Sequence, residues 1–166
     1  MRLTLQTDYA LRMLMYLAVH RDRPCRVTDV AADYGISRNH LLKVALKLGR
    51  LGYLATARGR TGGIALARPP EDINLGDVMR QMEDGFDLTE CMRDGGTCAI
   101  TPSCRLKSVV GRALDAFLAV FDGVTLAEIA GNKHELLALL ERNRTSGAGV
   151  APESAPGGAR RGMNAR

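Results

Sequence analysis

Tryptophan is missing from this 166-residue chain and aromatic residues make up only 4% of it, which leaves no rows of rings on which unpaired bases could stack. Duplex DNA is not excluded by that shortage. No apolar run reaches membrane-spanning length, and the run from Tyr9 to Val19 is broken by Arg12 with no small-residue cleavage site after it, so neither a membrane partner nor a signal peptide is expected. No Gly-Lys-Ser/Thr follows the glycine-rich stretch at 59–63, and no catalytic dyad, flavin or nicotinamide fingerprint is visible. An enzyme is therefore not expected. Cysteine is scarce, with four residues. In the reducing cytoplasm expected for this chain, such thiols point to metal binding or redox sensing rather than disulfides.

The hydrophobic fraction of 46% fits a globular protein, long enough for one compact domain or a small domain with an extension. The net charge of +5 is unevenly spread. Residues 1–70 hold 12 Lys/Arg against 4 Asp/Glu, residues 71–144 hold 8 against 13, and residues 145–166 hold 3 against 1. The first part attracts polyanions and the second does not.

Helical spacing of Tyr9, Met13, Tyr16 and Leu17 predicts a helix over 6–19, with Thr7 as N-cap. Val27, Val30, Ala31 and Tyr34 form a short buried stripe that Gly35 closes. Ser37 opens the next helix, which stops near Gly49 or Gly52. Residues 53–57 and 64–67 read as strands around the basic tip Arg58-Gly59-Arg60-Thr61-Gly62-Gly63. Asn74 or Asp72 starts a brief helix over Leu75, Val78, Met79 and Met82, and a polar loop follows to Pro102. Thr101-Pro102 then starts a long amphipathic helix at 102–121, whose stripe (Leu106, Val109, Val110, Leu114, Phe117, Phe121) needs a partner surface. Short helices are expected at 126–130 and 135–140. The tail from about Thr145, rich in Ala, Gly, Pro and Arg, reads as disordered.

Two helices across a glycine turn, then a basic hairpin, is the order of a winged helix-turn-helix. The fold class expected is mainly α with a small β-wing, a winged helix-turn-helix plus a long dimerisation helix. Ser37, Arg38, Asn39 and His40 stand at the start of the recognition helix, where Asn suits adenine and Arg suits guanine or phosphate. Thr28, Lys43, Lys47, Arg58 and Arg60 are candidates for phosphate contacts. Any one of these residues could be merely a solvated polar group; their concentration in one basic 70-residue stretch is what points to double-stranded DNA.

Cys91, Cys98 and Cys104 lie in a glycine-containing loop with six and five residues between them. Thiolates so close suit a soft metal or an iron-sulfur cluster. Placing Cys104 in the first turn of the long helix adds the helix dipole, which favours a thiolate. Zinc cysteines usually come in pairs two to four residues apart, a spacing absent here. A thiol switch without any cluster is the other alternative. Cys25 is distant, beside Pro24, and reads as a small packed thiol. Asp8, by its chemistry alone, is a first-turn carboxylate that stabilises a helix start.

The residues resemble a family of bacterial iron-sulfur winged-helix regulators. The resemblance runs over about residues 1–143, through Thr7-Asp8-Tyr9-Ala10-Leu11-Arg12, Tyr34-Gly35-Ile36-Ser37-Arg38-Asn39-His40-Leu41, Arg58-Gly59-Arg60-Thr61-Gly62-Gly63-Ile64 and Ile100-Thr101-Pro102-Ser103-Cys104-Arg105-Leu106-Lys107. It implies a homodimeric repressor of operator DNA, with Cys91, Cys98 and Cys104 holding an iron-sulfur cluster and Asp8 of the other subunit completing the ligands. A 4Fe-4S cluster is implied, and 2Fe-2S would also suit three thiolates and an oxygen. The iron-sulfur biogenesis branch carries a histidine three residues after the last cysteine. Lys107 stands there, so the nitric-oxide-sensing branch fits better, with nitric oxide as the signal that releases DNA. The domain division implied is a DNA-binding unit at 1–70, the cluster loop and dimerisation helix at 71–143, and a tail at 144–166.

Overall fold

A computed structural model of the chain describes residues 2–57 and 62–146. Helix α1 (Leu5–Val19) runs through the centre of the packing. Its Ala10, Met13, Leu14 and Leu17 are buried at helical spacing and meet Val30, Leu41, Val44, Leu48, Val78 and Leu126 from four other helices. Each such side chain removed from water contributes roughly 1.5–3 kcal/mol before the entropy of ordering it is counted. The helix begins earlier than expected. Thr4 is its N-cap, accepting from the Thr7 amide at 3.3 Å. Thr7 itself is buried inside the first turn, its hydroxyl 3.1 Å from that of Thr4.

The short stripe becomes α2 (Val27–Tyr34), and Gly35 ends it at φ +65°. That left-handed conformation lets the Ile36 amide reach back to the Ala31 carbonyl at 3.0 Å, and a side chain there would be strained. Helix α3 (Arg38–Arg50) follows at once and buries Leu41, Val44 and Leu48 on its inner face. Strands β1 (Leu54–Ala57) and β2 (Gly63–Leu66) pair antiparallel, with Leu54 opposite Leu66 and Ala57 opposite Gly63. The buried Cys25 adds a bridge on the other side of β2, exchanging backbone bonds with Ile64 at 2.9 and 2.8 Å. The wing tip at 58–61, which carries Arg58 and Arg60, lies outside the described residues.

Helix α4 (Leu75–Met82) is capped by Asn74, which accepts from the Asp77 amide at 3.1 Å. The long helix, α5 (Arg105–Asp122), starts three residues later than expected, because Thr101–Ser103 closes as a separate 3-10 turn and Cys104 takes the N-cap position. Arg80 of α4 forks onto the Asp122 carboxylate at the far end of α5, and Asn74 donates to the Asp122 carbonyl at 2.7 Å. Helix α6 (Leu126–Ile129) is followed by α7 (Lys133–Ser146), which is more than twice as long as the sequence pattern suggests. Its end docks on α2, where Asn143 donates to the Asp33 carbonyl at 2.6 Å and Arg144 forks onto the Asp33 carboxylate at 2.5 and 2.6 Å. The expected disordered tail lies, from residue 147 on, outside the described residues.

Candidate nucleic-acid interface and cysteine loop

One end of α3 is polar and exposed. Ser37, Arg38, Asn39 and His40 all face solvent, and Ser37 holds the N-cap position without spending its hydroxyl on the helix amides. The apolar residues that dock α3 begin at Leu41, so the first turn projects beyond the core and can enter a groove. Four orphan amides at this start add positive potential to the Arg38 guanidinium. His40 stacks on Tyr9 of α1, ring centroids 6.3 Å apart and planes 28° apart. Tyr9 thereby links the reading turn to the helix that carries Asp8 one residue earlier. Thr28 and Lys43 are exposed on the same half of the molecule as residues of α2 and α3.

Lys47 behaves differently from the phosphate contact expected of it. It is half-buried, and its Nζ donates to the Met82 carbonyl at 2.9 Å and lies 3.4 Å from Asp84 Oδ1. An ammonium held by the last carbonyl of α4 ties α3 to the end of that helix. Sequence spacing places Lys43 and Lys47 on one helical face, but does not reveal that the second reaches the neighbouring helix.

The loop from Asp84 to Cys104 is folded on itself by polar ties. Glu90 Oε1 accepts from both the amide and the hydroxyl of Thr97, at 3.3 and 2.9 Å. This tie fixes the residue before Cys91 to the residue before Cys98. Cys91 Sγ sits 3.2 Å from the Thr89 hydroxyl, and the Cys98 carbonyl accepts from the Thr101 amide at 3.1 Å. Cys104 stands at the start of α5 with no side-chain cap bond. All three are free thiols of intermediate exposure, whereas Cys25 is free and buried, and its thiol is pushed up by burial. Among the described residues, no group of three His, Cys, Asp or Glu side chains stands converged as a metal site. The donor set nevertheless fits a soft metal group. Three free thiols lie on one loop, the last at a helix N-terminus that favours an anion. Between the second and third, the hydroxyl of Thr101 is buried with no hydrogen-bond partner, an unmet polar demand inside the loop. Asp8 belongs to none of this within one chain; it forks with Arg12 at 3.1 and 2.9 Å on the outer side of α1.

Helix α5 leaves its first half uncovered. Leu118 is its one buried residue, while Leu106 is 58% exposed and Val109 48%. This aliphatic strip lies on a helix that opens at a free thiol, which makes it a candidate interaction face. Sequence reading identified that stripe, but missed the ties of Glu90, Thr97 and Thr101. The only hint of them was the density of Thr and acidic residues around the cysteines.

Comparison with known proteins adds to this geometry. The family Rrf2, described as an iron-dependent transcriptional regulator, matches residues 3–132. Proteins named HTH-type transcriptional regulator NsrR are 48% identical in Halalkalibacterium halodurans and 47% identical in Bacillus subtilis. Each match spans 143 residues, 85% of this chain and 98% of the relative. Among solved structures, IscR of T. potens superposes with a TM-score of 0.66 at 26% identity, covering 82% of this chain and 90% of its own. CymR of B. subtilis, the global cysteine regulator, gives 0.65 at 22% identity over 79% and 97% of the two chains, a likeness of fold.

Proposed function

Because the chain belongs to the Rrf2 family of iron-dependent transcriptional regulators, we propose that it is a homodimeric, cytoplasmic repressor that binds operator DNA through α3 and the wing and releases it in response to nitric oxide. It is a regulator and not an enzyme. The division of labour proposed is DNA reading by residues 1–70 and sensing and pairing by 71–143; the tail expected from 144 is not proposed as such, because Arg144 belongs to α7 and holds Asp33. Among the described residues no helix is long and apolar enough to cross a membrane.

The observation that carries this reading is the continuity of Cys104 with α5: the last free thiol of the loop opens the helix whose aliphatic first half is uncovered. Pairing two copies along α5 would bury that strip around a two-fold axis and present two α3 helices to a pseudo-palindromic site. Ser37, Arg38, Asn39 and His40 would read base edges, with Thr28, Lys43, Arg58 and Arg60 on phosphates. Cys91, Cys98 and Cys104 would hold an iron-sulfur cluster, most fittingly 4Fe-4S, and Asp8 from the opposite copy would supply its fourth ligand. When bound, the cluster supplies iron sites with which nitric oxide can react.

An Asp8 carboxylate is a hard oxygen donor beside soft sulfurs, so it is the ligand most readily exchanged. Asp8 already has an alternative partner, Arg12 four residues along α1. Return of Asp8 to Arg12 would free α1, and Tyr9, next to Asp8, touches His40 of the reading turn. A change at the loop thus has a short route to α3.

The test is visible absorption and circular dichroism of anaerobically purified protein, wild type and Asp8→Ala, during a nitric oxide titration with operator DNA present. A brown chromophore that bleaches as DNA is released, with an altered spectrum in the variant, is the expected result. A colourless protein that still binds DNA after reconstitution would replace the cluster by a thiol or zinc switch. Bleaching with DNA retained would defeat the coupling.

A further inference from the structure

The end of α1 and the base of the wing enclose a hollow of about 290 Å³ that neither the reading turn nor the cysteine loop uses. Its wall is unusual in charge. His20, Arg21, Arg23 and Arg68 line it over an apolar floor that includes Leu17 and Pro69, and no carboxylate is among the lining residues. Concave basic walls focus field toward an anion far better than the same charges spread on a convex face.

Three features hold these groups in place before any ligand arrives. The turn that carries Arg21 and Arg23 is bound to β2 through the paired backbone bonds of Cys25 and Ile64, at 2.9 and 2.8 Å. Gly63 permits that approach, since a Cβ there would stand 2.4 Å from the Cys25 carbonyl oxygen. Arg68 lies with its guanidinium carbon 4.4 Å above the buried ring of Tyr53, a cation–π platform that restricts the side chain. His20 stacks on Tyr16 at 4.2 Å, and its Nδ1 is 2.8 Å from the Tyr16 carbonyl oxygen. Because a carbonyl only accepts, Nδ1 carries the proton and the ring is fixed.

Little inside the molecule competes for the guanidinium donors. Arg21 faces Glu71 at 3.9 Å, with both side chains more than half exposed, a separation and exposure at which an ion pair contributes little. Arg23 makes no ion pair among the described residues. Forked guanidinium groups around a small cavity match the oxygens of a phosphate, and the volume lies near the lower end of ligand pockets, about 300–1,000 Å³.

We propose that this hollow is a phosphate-binding site, taking either a backbone phosphate of the duplex or the phosphate of a small molecule. It stands apart from the groove-reading turn. Tyr9, which touches His40, and His20, the C-cap of α1, stand eleven positions apart, about 16 Å at helical rise. A duplex phosphate here would extend the footprint beyond the half-site read by α3, and that arm alone rests on the DNA-binding reading. A free phosphate compound would make the site a second input to the regulator.

The experiment uses the full chain and an Arg21→Gln/Arg23→Gln double variant, leaving the Tyr53-stacked Arg68 in place. Inorganic phosphate is titrated against chloride at matched ionic strength while the amide resonances of residues 20–25 and 65–68 are followed. In parallel, affinity for operator and for unrelated duplex is measured across salt concentration. A duplex phosphate predicts that the variant weakens on both DNAs alike, and that its log K against log salt slope falls by about 1–2. A free phosphate predicts amide shifts in wild type that the variant lacks, with the salt slope unchanged. Equal response of both proteins to phosphate, together with equal salt slopes, would overturn the proposal. Should the double variant melt early, Arg23→Gln alone carries the same readouts.

Discussion

The three-helix head and the cysteine-loop segment differ in how far a single chain completes them. Helices α1, α2 and α3 bury their apolar stripes against one another and against α4 and the wing, and the Thr4 cap and the Gly35 turn satisfy helix ends locally. The segment from Asp84 to Leu114 has three half-exposed thiols, a buried hydroxyl without a partner, and an aliphatic strip facing outward. Polar ties such as Glu90–Thr97 fold the loop without giving it a core. A region finished within one chain keeps its shape whatever the signal. One left with free thiols, an unpartnered hydroxyl and an open strip has more than one state available, and that is where a switch can reside.

The largest expected effect comes from the unfinished side. Changing Leu106 and Val109 to Glu places four charges on the paired strip, and sedimentation should show a monomer. Operator affinity should fall by at least about 100-fold as the two reading heads lose their linkage, while the reading head retains its helical circular dichroism. A dimer that survives this change would sever α5 from assembly. Next in size are Arg38→Ala and Asn39→Ala on the finished side. Each should weaken operator binding by about 1–3 kcal/mol, or roughly 5- to 150-fold, with affinity for unrelated duplex reduced far less. Lys47→Met sharpens the contrast within α3 itself. Since the ammonium is engaged with the Met82 carbonyl, this variant should lower the melting temperature and leave the salt slope of DNA binding unchanged; a slope reduced by about 1 would return Lys47 to the phosphates.

Local rules made most of the reading head legible. Gly35 after a short apolar stripe allows one conformation, and Ser37 followed by a helix-forming run allows one start, so α2 and α3 were readable to within a residue or two. The strands differed by one position, as the alternation in a four-residue strand is too short to fix its ends. Thr101-Pro102 was ambiguous for a physical reason: proline fits the first position of an α-helix and of a 3-10 turn equally well, and only the fold of the loop decides. The three cysteines were readable as a ligand set from spacing, yet no sequence rule reports that Glu90 and Thr97 draw their neighbours together. Nor could α7 be read at its true length. Its apolar pattern stops near Leu140, and its last turn is held by a contact with Asp33, 111 residues away from Arg144.

That contact gives the smallest prediction and the one most specific to pH. Asp33 is almost fully buried, and burial pushes its carboxyl up, but the hydrogen bonds from Arg144 and Tyr16 outweigh burial and hold it below the ordinary carboxylate value. A folded-state pKa below the unfolded one means that the ionised group favours folding above the unfolded value of about 3.9. The stabilisation is then lost as pH falls through the folded value. Wild-type protein should therefore keep this clasp at pH 4.5 and lose it only in stronger acid. Arg144→Gln removes the guanidinium and leaves the burial, so the Asp33 carboxyl rises and its ionised form supports folding less than in wild type. Arg144 is half exposed, which limits the effect at neutral pH to about 1 kcal/mol, a few degrees in melting temperature for a domain of this size. Melting curves of both proteins at pH 7, 4.5 and 3 decide the matter. The gap between them should be widest at pH 7 and narrow steadily as acid protonates Asp33, first in the variant and then in the wild type; a gap that stays constant would place the role of Arg144 in packing of its stem rather than in its charge.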